Sequence, residues 1–411
     1  MTRDTITLKI EKPVFGGDCL ARLPDGRAIF VPFTLPGETV RVEITEEKKR
    51  FARGKLVEVI ESSPDRIEPR CIYFGVCGGC QYQHLGYTKQ LTLKENLLKD
   101  QFQRIGKMDN APIQSIIPSL HPFNYRNHVQ FHLSQDGTLG YVHSDKKHLL
   151  PVNECHLPQE TINKLWPLIN MEPDSGIYRM GIRQDSYHDL MVVLEGEDPK
   201  PSEFSLDIPV SVVYTPHDSR LTVLAGDDHL NYTLLDHPFQ VSARSFFQVN
   251  TPIAESMIRF LLDNLIFNQS MKVLELYAGV GLFSAFIAEK VEYLTAVESS
   301  GSACHDFTVN LAEYDNVSLY EAEAEEVLPS FKTPFDLLIV DPPRSGLAPV
   351  VHDALENISP QQIVYISCDP ATLARDARKI THKGYKLISV TPFDQFPQTA
   401  HIETISLFEK K

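Results

Sequence analysis

The sequence predicts a multidomain chain: an OB-like β-barrel over residues 1–62, a central mixed α+β domain over 63–238 and a Rossmann-like α/β domain over 239–411. Three observations carry this. A length of 411 residues exceeds one ordinary core, so two or three domains are expected. The opening residues are short strand-like runs cut by Pro and Gly turns, the pattern of a small barrel. From about residue 240, strand-like and helix-like stretches alternate, the pattern of a parallel sheet wound with helices.

Composition narrows the class. Hydrophobic content of 42% and charged content of 23% are those of a globular protein. No basic-then-apolar leader opens the chain and no apolar run is long enough to cross a bilayer, so a cytoplasmic setting is expected. Seven cysteines in so long a chain do not make a disulfide framework, and four of them fall in a metal-ligating pattern. The net charge of −15 argues against a nucleic-acid partner, but the acidic excess lies beyond residue 160. Screening confines a field to about a Debye length, so an acidic chain with a basic arm can hold RNA. No internal repeat or low-complexity segment is present.

In the barrel region, strands are expected at Thr5–Ile10, Ala28–Pro32, Thr39–Ile44 and Gly54–Ile60, with turns at Pro24-Asp25-Gly26 and Pro36-Gly37. Glu46–Lys55 gathers Lys48, Lys49, Arg50, Arg53 and Lys55 around Phe51. A charge run of this kind is either a solvated loop or a phosphate-contacting patch with an aromatic for stacking. The barrel with this patch resembles a TRAM domain, a small barrel attached to RNA-modifying enzymes.

Ser62-Ser63-Pro64-Asp65 reads as a linker. Cys71, Cys77 and Cys80 then cluster, and Cys155 follows in Val152-Asn153-Glu154-Cys155-His156. Glycines beside such cysteines let the backbone wrap a cluster and aim N–H groups at sulfur. Four thiolates suit zinc or an iron–sulfur cluster. Zinc sites more often pair their cysteines in two short hairpins, so three plus one distant favours [4Fe-4S]. Four cysteines leave no open position on the cluster, which points to a structural role. Radical use of S-adenosylmethionine needs three residues between the first two cysteines, and this chain has five.

Gln90–Gly106 reads as an amphipathic helix with Leu91, Leu93, Leu97, Leu98 and Phe102 on its apolar face. Tyr125-Arg126-Asn127-His128 opens a strand (Val129, Phe131, Leu133) that ends at the Asp136-Gly137 turn. Residues 176–240 are mostly strand-like and reveal no chemistry.

In the C-terminal domain, Met271–Leu276 is the first strand and feeds the glycine turn Tyr277-Ala278-Gly279-Val280-Gly281. A later strand, Tyr293–Val297, ends at Glu298; Phe335–Val340 ends at Asp341-Pro342-Pro343-Arg344; another, from Ile363, ends at Cys368. Ligands of such sheets sit outside the carboxyl ends of the strands. Glu275 would attract a cationic donor and repel a pyrophosphate, and Ser284 stands where a dinucleotide turn needs glycine. These favour S-adenosylmethionine over NAD, with Glu298 placed for ribose hydroxyls. His401–Phe408 fits an extra closing strand.

A lone cysteine at a strand end is usually an inert core thiol. Here its neighbours suggest attack on a pyrimidine ring. A thiolate added to C6 of uracil makes C5 enolate-like and able to accept a methyl group. A base must then remove the C5 proton so that the thiolate can leave. On chemistry alone His401 and Glu403 are equal candidates for that base. The helix near Pro370 would stabilise the thiolate, and Asp369 would oppose it.

Phe246-x-Gln248-x-Asn250, Glu275 to Gly281, Asp341-Pro-Pro-Arg344, Ser367-Cys368-Asp369-Pro370 and His401-Ile402-Glu403 together resemble the RNA uracil-C5 methyltransferase family. The barrel and the four cysteines match its larger, TRAM-containing, iron–sulfur members, which act on 23S ribosomal RNA or transfer RNA. The resemblance covers nearly the whole chain. It implies a class I (Rossmann-like) methyltransferase domain behind a central iron–sulfur domain, with Cys368 as nucleophile and Glu403 as proton acceptor. It implies that Gln248, Tyr277, Glu298 and Asp341, with the Gly279 and Gly281 turn, bind S-adenosylmethionine. It also implies a [4Fe-4S] cluster on Cys71, Cys77, Cys80 and Cys155. The expected partner is RNA, 23S rRNA before tRNA, with no membrane and no obligate protein partner. The rivals are methylation of another nucleobase, an RNA-binding redox sensor, and a zinc-bearing adaptor.

Overall fold

A computed structural model describes residues 5–197, 208–217 and 221–411. Residues 198–207 and 218–220 of the strand-like region lie outside the described residues. The first five strands are β1 (Thr5–Pro13), β2 (Asp18–Arg22), β3 (Ala28–Pro32), β4 (Thr39–Glu47) and β5 (Phe51–Glu61). They close into a barrel in the order β1-β2-β3-β5-β4, with β3 and β5 parallel. Alternation puts Leu8, Ile10, Ile29, Val31, Val40, Val42 and Ala52 inside. Cys19 and the strand β2 that carries it were not singled out in the sequence; the thiol is a core residue.

The predicted helix starts earlier than Gln90 and ends in a wider turn: α1 spans Tyr87–Gln101, and Phe102–Gly106 forms one π-turn. Its buried stripe is Gln90, Lys94, Leu97, Leu98 and Gln101, while Leu91 and Leu93 are only half-buried. The expected apolar face is therefore rotated, because polar side chains of this helix are themselves buried against protein.

A seven-stranded sheet follows, containing β6 (His128–Leu133), β7 (Leu139–Val142), β8 (Leu149–Pro151), β9 (Ile177–Gln184), β10 (Leu190–Gly196), β11 (Ser211–Pro216) and β12 (Thr222–Ala225). Its order is β12-β11-β10-β9-β6-β7-β8, with the short α2 (Glu160–Leu165) on one face. Phe131, Trp166, Met180 and Ile182 fill that core. The hairpin β13 (His229–Leu234) and β14 (His237–Ser242) packs instead into the core of the last domain, through Leu230, Tyr232, Phe239 and Val241.

The last domain holds α3 (Thr251–Asn264), β15 (Lys272–Leu276), α4 (Ser284–Ile287), β16 (Tyr293–Glu298), α5 (Gly301–Asn310), β17 (Val317–Glu321), α6 (Ala324–Val327) and β18 (Leu337–Val340). It ends with α7 (Pro349–Ile358), β19 (Gln362–Ser367), α8 (Pro370–His382), β20 (Tyr385–Phe393) and β21 (Glu403–Lys410). The sheet order is β17-β16-β15-β18-β19-β21-β20. Strands β15 to β19 run parallel, and β21 runs antiparallel to both its neighbours. Both sheet faces are covered, so these strands are near-continuous apolar runs such as Leu337–Val340.

Leu98 and Phe102 of the α1 region are fully buried in this last core, beside Leu373, Ala374 and Ala377 of α8. Each contributes about 1.5–3 kcal/mol of burial. Ile113 and Ile117 bridge to Val390 and Phe393 of β20. Residues 87–117 thus pack with the C-terminal domain.

Candidate active site

The order reverses at β15, whose neighbours are β16 on one side and β18 on the other, so a crevice opens between the carboxyl ends of β15 and β18. The first wall is the turn after β15. Tyr277, Gly279 and Gly281 all have positive φ, at 63°, 56° and 87°. A side chain at Gly281 would overlap Leu311 Cδ1, so the turn hugs α5 only with glycine there. Gly279 N donates to Glu298 Oε2 at 2.8 Å, and Ser299 N and Ser300 N donate to its Oε1. Glu298 therefore locks the turn and its own strand end together. Tyr277 is half-buried, with its hydroxyl on Glu325 at 3.5 Å.

Below the turn lie acids in apolar surroundings. Glu275 is buried and accepts from Ser284 Oγ. Burial pushes its carboxyl up to about 8, with Asp341 and Glu298 adding to the rise. Burial and Glu298 likewise raise Asp341. A site that holds acids against their ionisation favours a cation and disfavours a pyrophosphate. This fits the sulfonium of S-adenosylmethionine. Gln248 and Asn250 are buried, and Gln395 Nε2 donates to Gln248 Oε1 at 2.9 Å. Phe246, two residues earlier, is 70% exposed.

Strand β19 carries Cys368 to the same rim. Ser367 pairs with Thr404 across β19 and β21, so the next positions outward are Cys368 and Glu403. Thr404 Oγ1 also donates to the Ser367 carbonyl at 3.1 Å, which pins that register. Burial pushes the Cys368 thiol up to about 11, with Glu403 and Asp341 adding to the rise and Arg344, its hydrogen-bond donor, opposing it. The helix end contributes less than the sequence suggested: Asp369 caps α8 and accepts from Ala371 N and Thr372 N at 2.9 and 2.8 Å.

Burial separates the two candidate bases. It raises the carboxyl of Glu403 well above its ordinary value, with Asp341 adding and Arg344 opposing. It lowers His401 to about 4, helped by Arg344, Lys94 and Arg126. Desolvation thus makes the carboxylate a stronger base and the imidazole a weaker one. Arg344 is held by the turn after β18: Asp376 accepts from Leu347 N at 2.9 Å and from Tyr365 at 3.0 Å, and Arg375 donates to the Ser345 carbonyl. Arg344 is here a partner of Cys368, by charge and by a hydrogen bond to the thiol.

Cys71, Cys77, Cys80 and Cys155 are brought together at the edge of the central sheet. Burial raises the Cys80 thiol, and Cys155, Cys77 and Cys71 raise it further. Gly79 N donates to Cys77 Sγ at 3.4 Å and Gln83 Nε2 to Cys80 Sγ at 3.2 Å. By chemistry alone, four thiols and these N–H donors suit a cluster. The geometry does not close them: among the described residues, no three His, Cys, Asp or Glu side chains are arranged to hold a metal ion.

On the barrel, the basic segment is the β4–β5 hairpin. Lys48 pairs with Glu46 at 2.8 Å and Arg53 with Asp18 at 3.3 Å, while Phe51 packs edge-on against Phe30. Lys49 and Arg50 are exposed at the tip. No helix among the described residues is long and apolar enough to cross a membrane.

A glycine turn, clustered acids and a thiol meet at one sheet rim, behind a small barrel, the arrangement expected of an S-adenosylmethionine-dependent methyltransferase with an RNA-binding module. Residues 227–411 match the tRNA (Uracil-5-)-methyltransferase family, and residues 1–57 match the TRAM domain. An uncharacterized RNA methyltransferase of Aquifex aeolicus is 36% identical over 424 residues, covering 99% of each chain. Another, of Thermosynechococcus vestitus, is 34% identical over 440 residues, covering 98% of this chain and 97% of its own. The crystal structure of Pyrococcus abyssi tRNA (uracil-54, C5)-methyltransferase with S-adenosyl-L-homocysteine superposes with a TM-score of 0.76 at 24% identity, over 98% of this chain and all of that one. That likeness is one of fold. The chain belongs to the TRAM-containing RNA uracil-C5 methyltransferases.

Gln395, Lys94 and Asp394 escaped the sequence reading. Their contacts join residues about 150 or 300 positions apart, such as Gln395 to Gln248 and Lys94 to Asp394, and no local pattern marks them.

Proposed function

We propose that this enzyme methylates C5 of a uridine in 23S rRNA through a covalent Cys368–C6 adduct, with Glu403 removing the C5 proton. The observation that carries the reading is the β19–β21 register, which sets Cys368 beside Glu403 on the rim shared with Asp341. S-adenosylmethionine supplies the sulfonium methyl group; Gln248, Tyr277, Gly279, Gly281, Glu298 and Asp341 would hold it. The Cys368 thiolate adds to C6, and the electron pair displaced toward the C4 carbonyl makes C5 the nucleophile. C5 takes the methyl group as its bond to sulfur breaks. Glu403 then takes the C5 proton, and the freed electron pair expels Cys368 from C6. The uridine must leave its stack for this, which costs least in a loop. Lys49 and Arg50 on the hairpin tip would hold flanking backbone.

Cys368→Ala tests the nucleophile: turnover and the adduct with 5-fluorouridine RNA should both vanish, and a surviving adduct refutes the assignment. A transfer RNA is the second reading, favoured by the description of the matching family. Mapping 5-methyluridine in total RNA with and without the gene separates the two.

The four thiols Cys71, Cys77, Cys80 and Cys155 are proposed to hold a structural [4Fe-4S] cluster. It would tie the loop at 71–80 to the 152–156 segment, and no step of the reaction runs through it. Protein purified without air should contain about four irons per chain, as the cluster's stoichiometry requires, and absorb in the blue. Zinc instead, or no metal, removes the cluster.

A further inference from the structure

We propose that Lys94, paired with Asp394, is a positioning residue for the proton-removal step. The inference rests on the assignment of Cys368 and Glu403 above. Residues 394–402 join β20 to β21 and deliver His401 and Glu403 to the rim, without helix or strand structure of their own. Their polar groups are held mainly from residues 81–125. Lys94 Nζ donates to Asp394 Oδ1 at 2.6 Å and to the Phe396 carbonyl at 3.0 Å. Tyr125 donates to the Pro397 carbonyl at 3.1 Å, and Gln81 N and Tyr82 N both donate to the Gln398 carbonyl at 3.0 Å. Gln90, one turn before Lys94, donates to Gln398 Oε1 at 2.9 Å and accepts from Gln398 N.

Lys94 and Asp394 stand out because both are fully buried, at 0% exposure. Either charge left alone would be an uncompensated ion in the core, so the pair admits only one arrangement of the segment. The residue after Asp394 is Gln395, which holds Gln248 on the donor side. Eight residues further on, Glu403 begins β21 opposite β19. Gln248 is also held from outside the segment, by Asn127 Nδ2 on its carbonyl at 3.0 Å, so the ion pair chiefly registers the proton acceptor against Cys368. Methyl transfer needs Cys368 and the donor, but release of Cys368 also needs Glu403 within reach of the C5 proton. Loosening the segment should slow release more than transfer.

The test uses the full chain and ordinary uridine RNA. Lys94→Met with Asp394→Asn removes both charges at nearly constant volume, which avoids a lone buried ion. Tyr125→Phe, a milder change, loosens the same segment by one hydrogen bond. Single-turnover methyl transfer and the covalent methylated complex on denaturing gels are measured with wild type and Glu403→Gln alongside. In the double variant, transfer should stay within a few-fold of wild type. Release should slow on the order of 100-fold, the scale of a small misplacement, so that the complex accumulates as it does with Glu403→Gln. Tyr125→Phe should accumulate less of it. Equal loss of both steps, or release at the wild-type rate, in the double variant or in Tyr125→Phe overturns the inference while leaving Glu403 in place. If Glu403→Gln itself fails to accumulate the complex, the base assignment falls and the inference falls with it.

Discussion

Replacing Arg344 with methionine should slow every reaction of Cys368 that needs its thiolate. The thiol is pushed up to about 11, so about one molecule in a thousand carries the thiolate at pH 8. Arg344 is the group that opposes this rise, by charge and by a hydrogen bond to sulfur. A hydrogen bond to a charged group is worth about 1.5–3 kcal/mol, or roughly one to two pKa units. Cys368 is only partly buried, and solvent screening trims the effect to the lower end, about tenfold in thiolate. The assay is iodoacetamide alkylation, followed by mass spectrometry of the Cys368 peptide so that the other six cysteines do not interfere. For the wild type, the rate should climb about tenfold per unit from pH 7 to pH 10, because the thiol stays mostly protonated over that range. The methionine variant should run parallel and about tenfold lower, and its adduct formation with 5-fluorouridine RNA should fall by a similar factor. A wild-type plateau below pH 9, or equal reactivity in the variant, would refute the reasoning.

Two further outcomes follow from the geometry. Gly281→Ala should cost about 1–3 kcal/mol of stability, since it forces a side chain into φ 87° and against Leu311. Its thermal midpoint and its affinity for S-adenosylmethionine should both drop; unchanged values would mean that the turn relaxes freely. Lys49→Ala with Arg50→Ala should reduce the slope of log affinity for RNA against log salt by roughly 1.4, the loss of two phosphate contacts on a single strand. An unchanged slope returns the hairpin tip to a solvated loop.

The motifs lying within one strand end were legible in the sequence. The glycine turn after Leu276, Asp341 after Val340 and Cys368 after Ser367 each follow an apolar run, and each falls at a carboxyl strand end in the structure. The barrel was legible for the same reason, because alternation and turn residues are local signals. The face of α1 was not. Periodicity counts leucines, and the buried stripe includes Gln90 and Lys94, whose partners lie about 300 residues away.

The sequence by itself determined the chemistry available: a thiol, an acid-lined donor turn, a late carboxylate and a late histidine. On chemistry alone it left Glu403 and His401 equal as bases, and only the family resemblance favoured Glu403. The tertiary structure separates their surroundings physically, through two effects absent from any local pattern. The antiparallel register of β21 sets Glu403, two residues beyond His401, opposite Cys368. Burial then raises the carboxyl and lowers the imidazole, because removing water disfavours whichever form is charged.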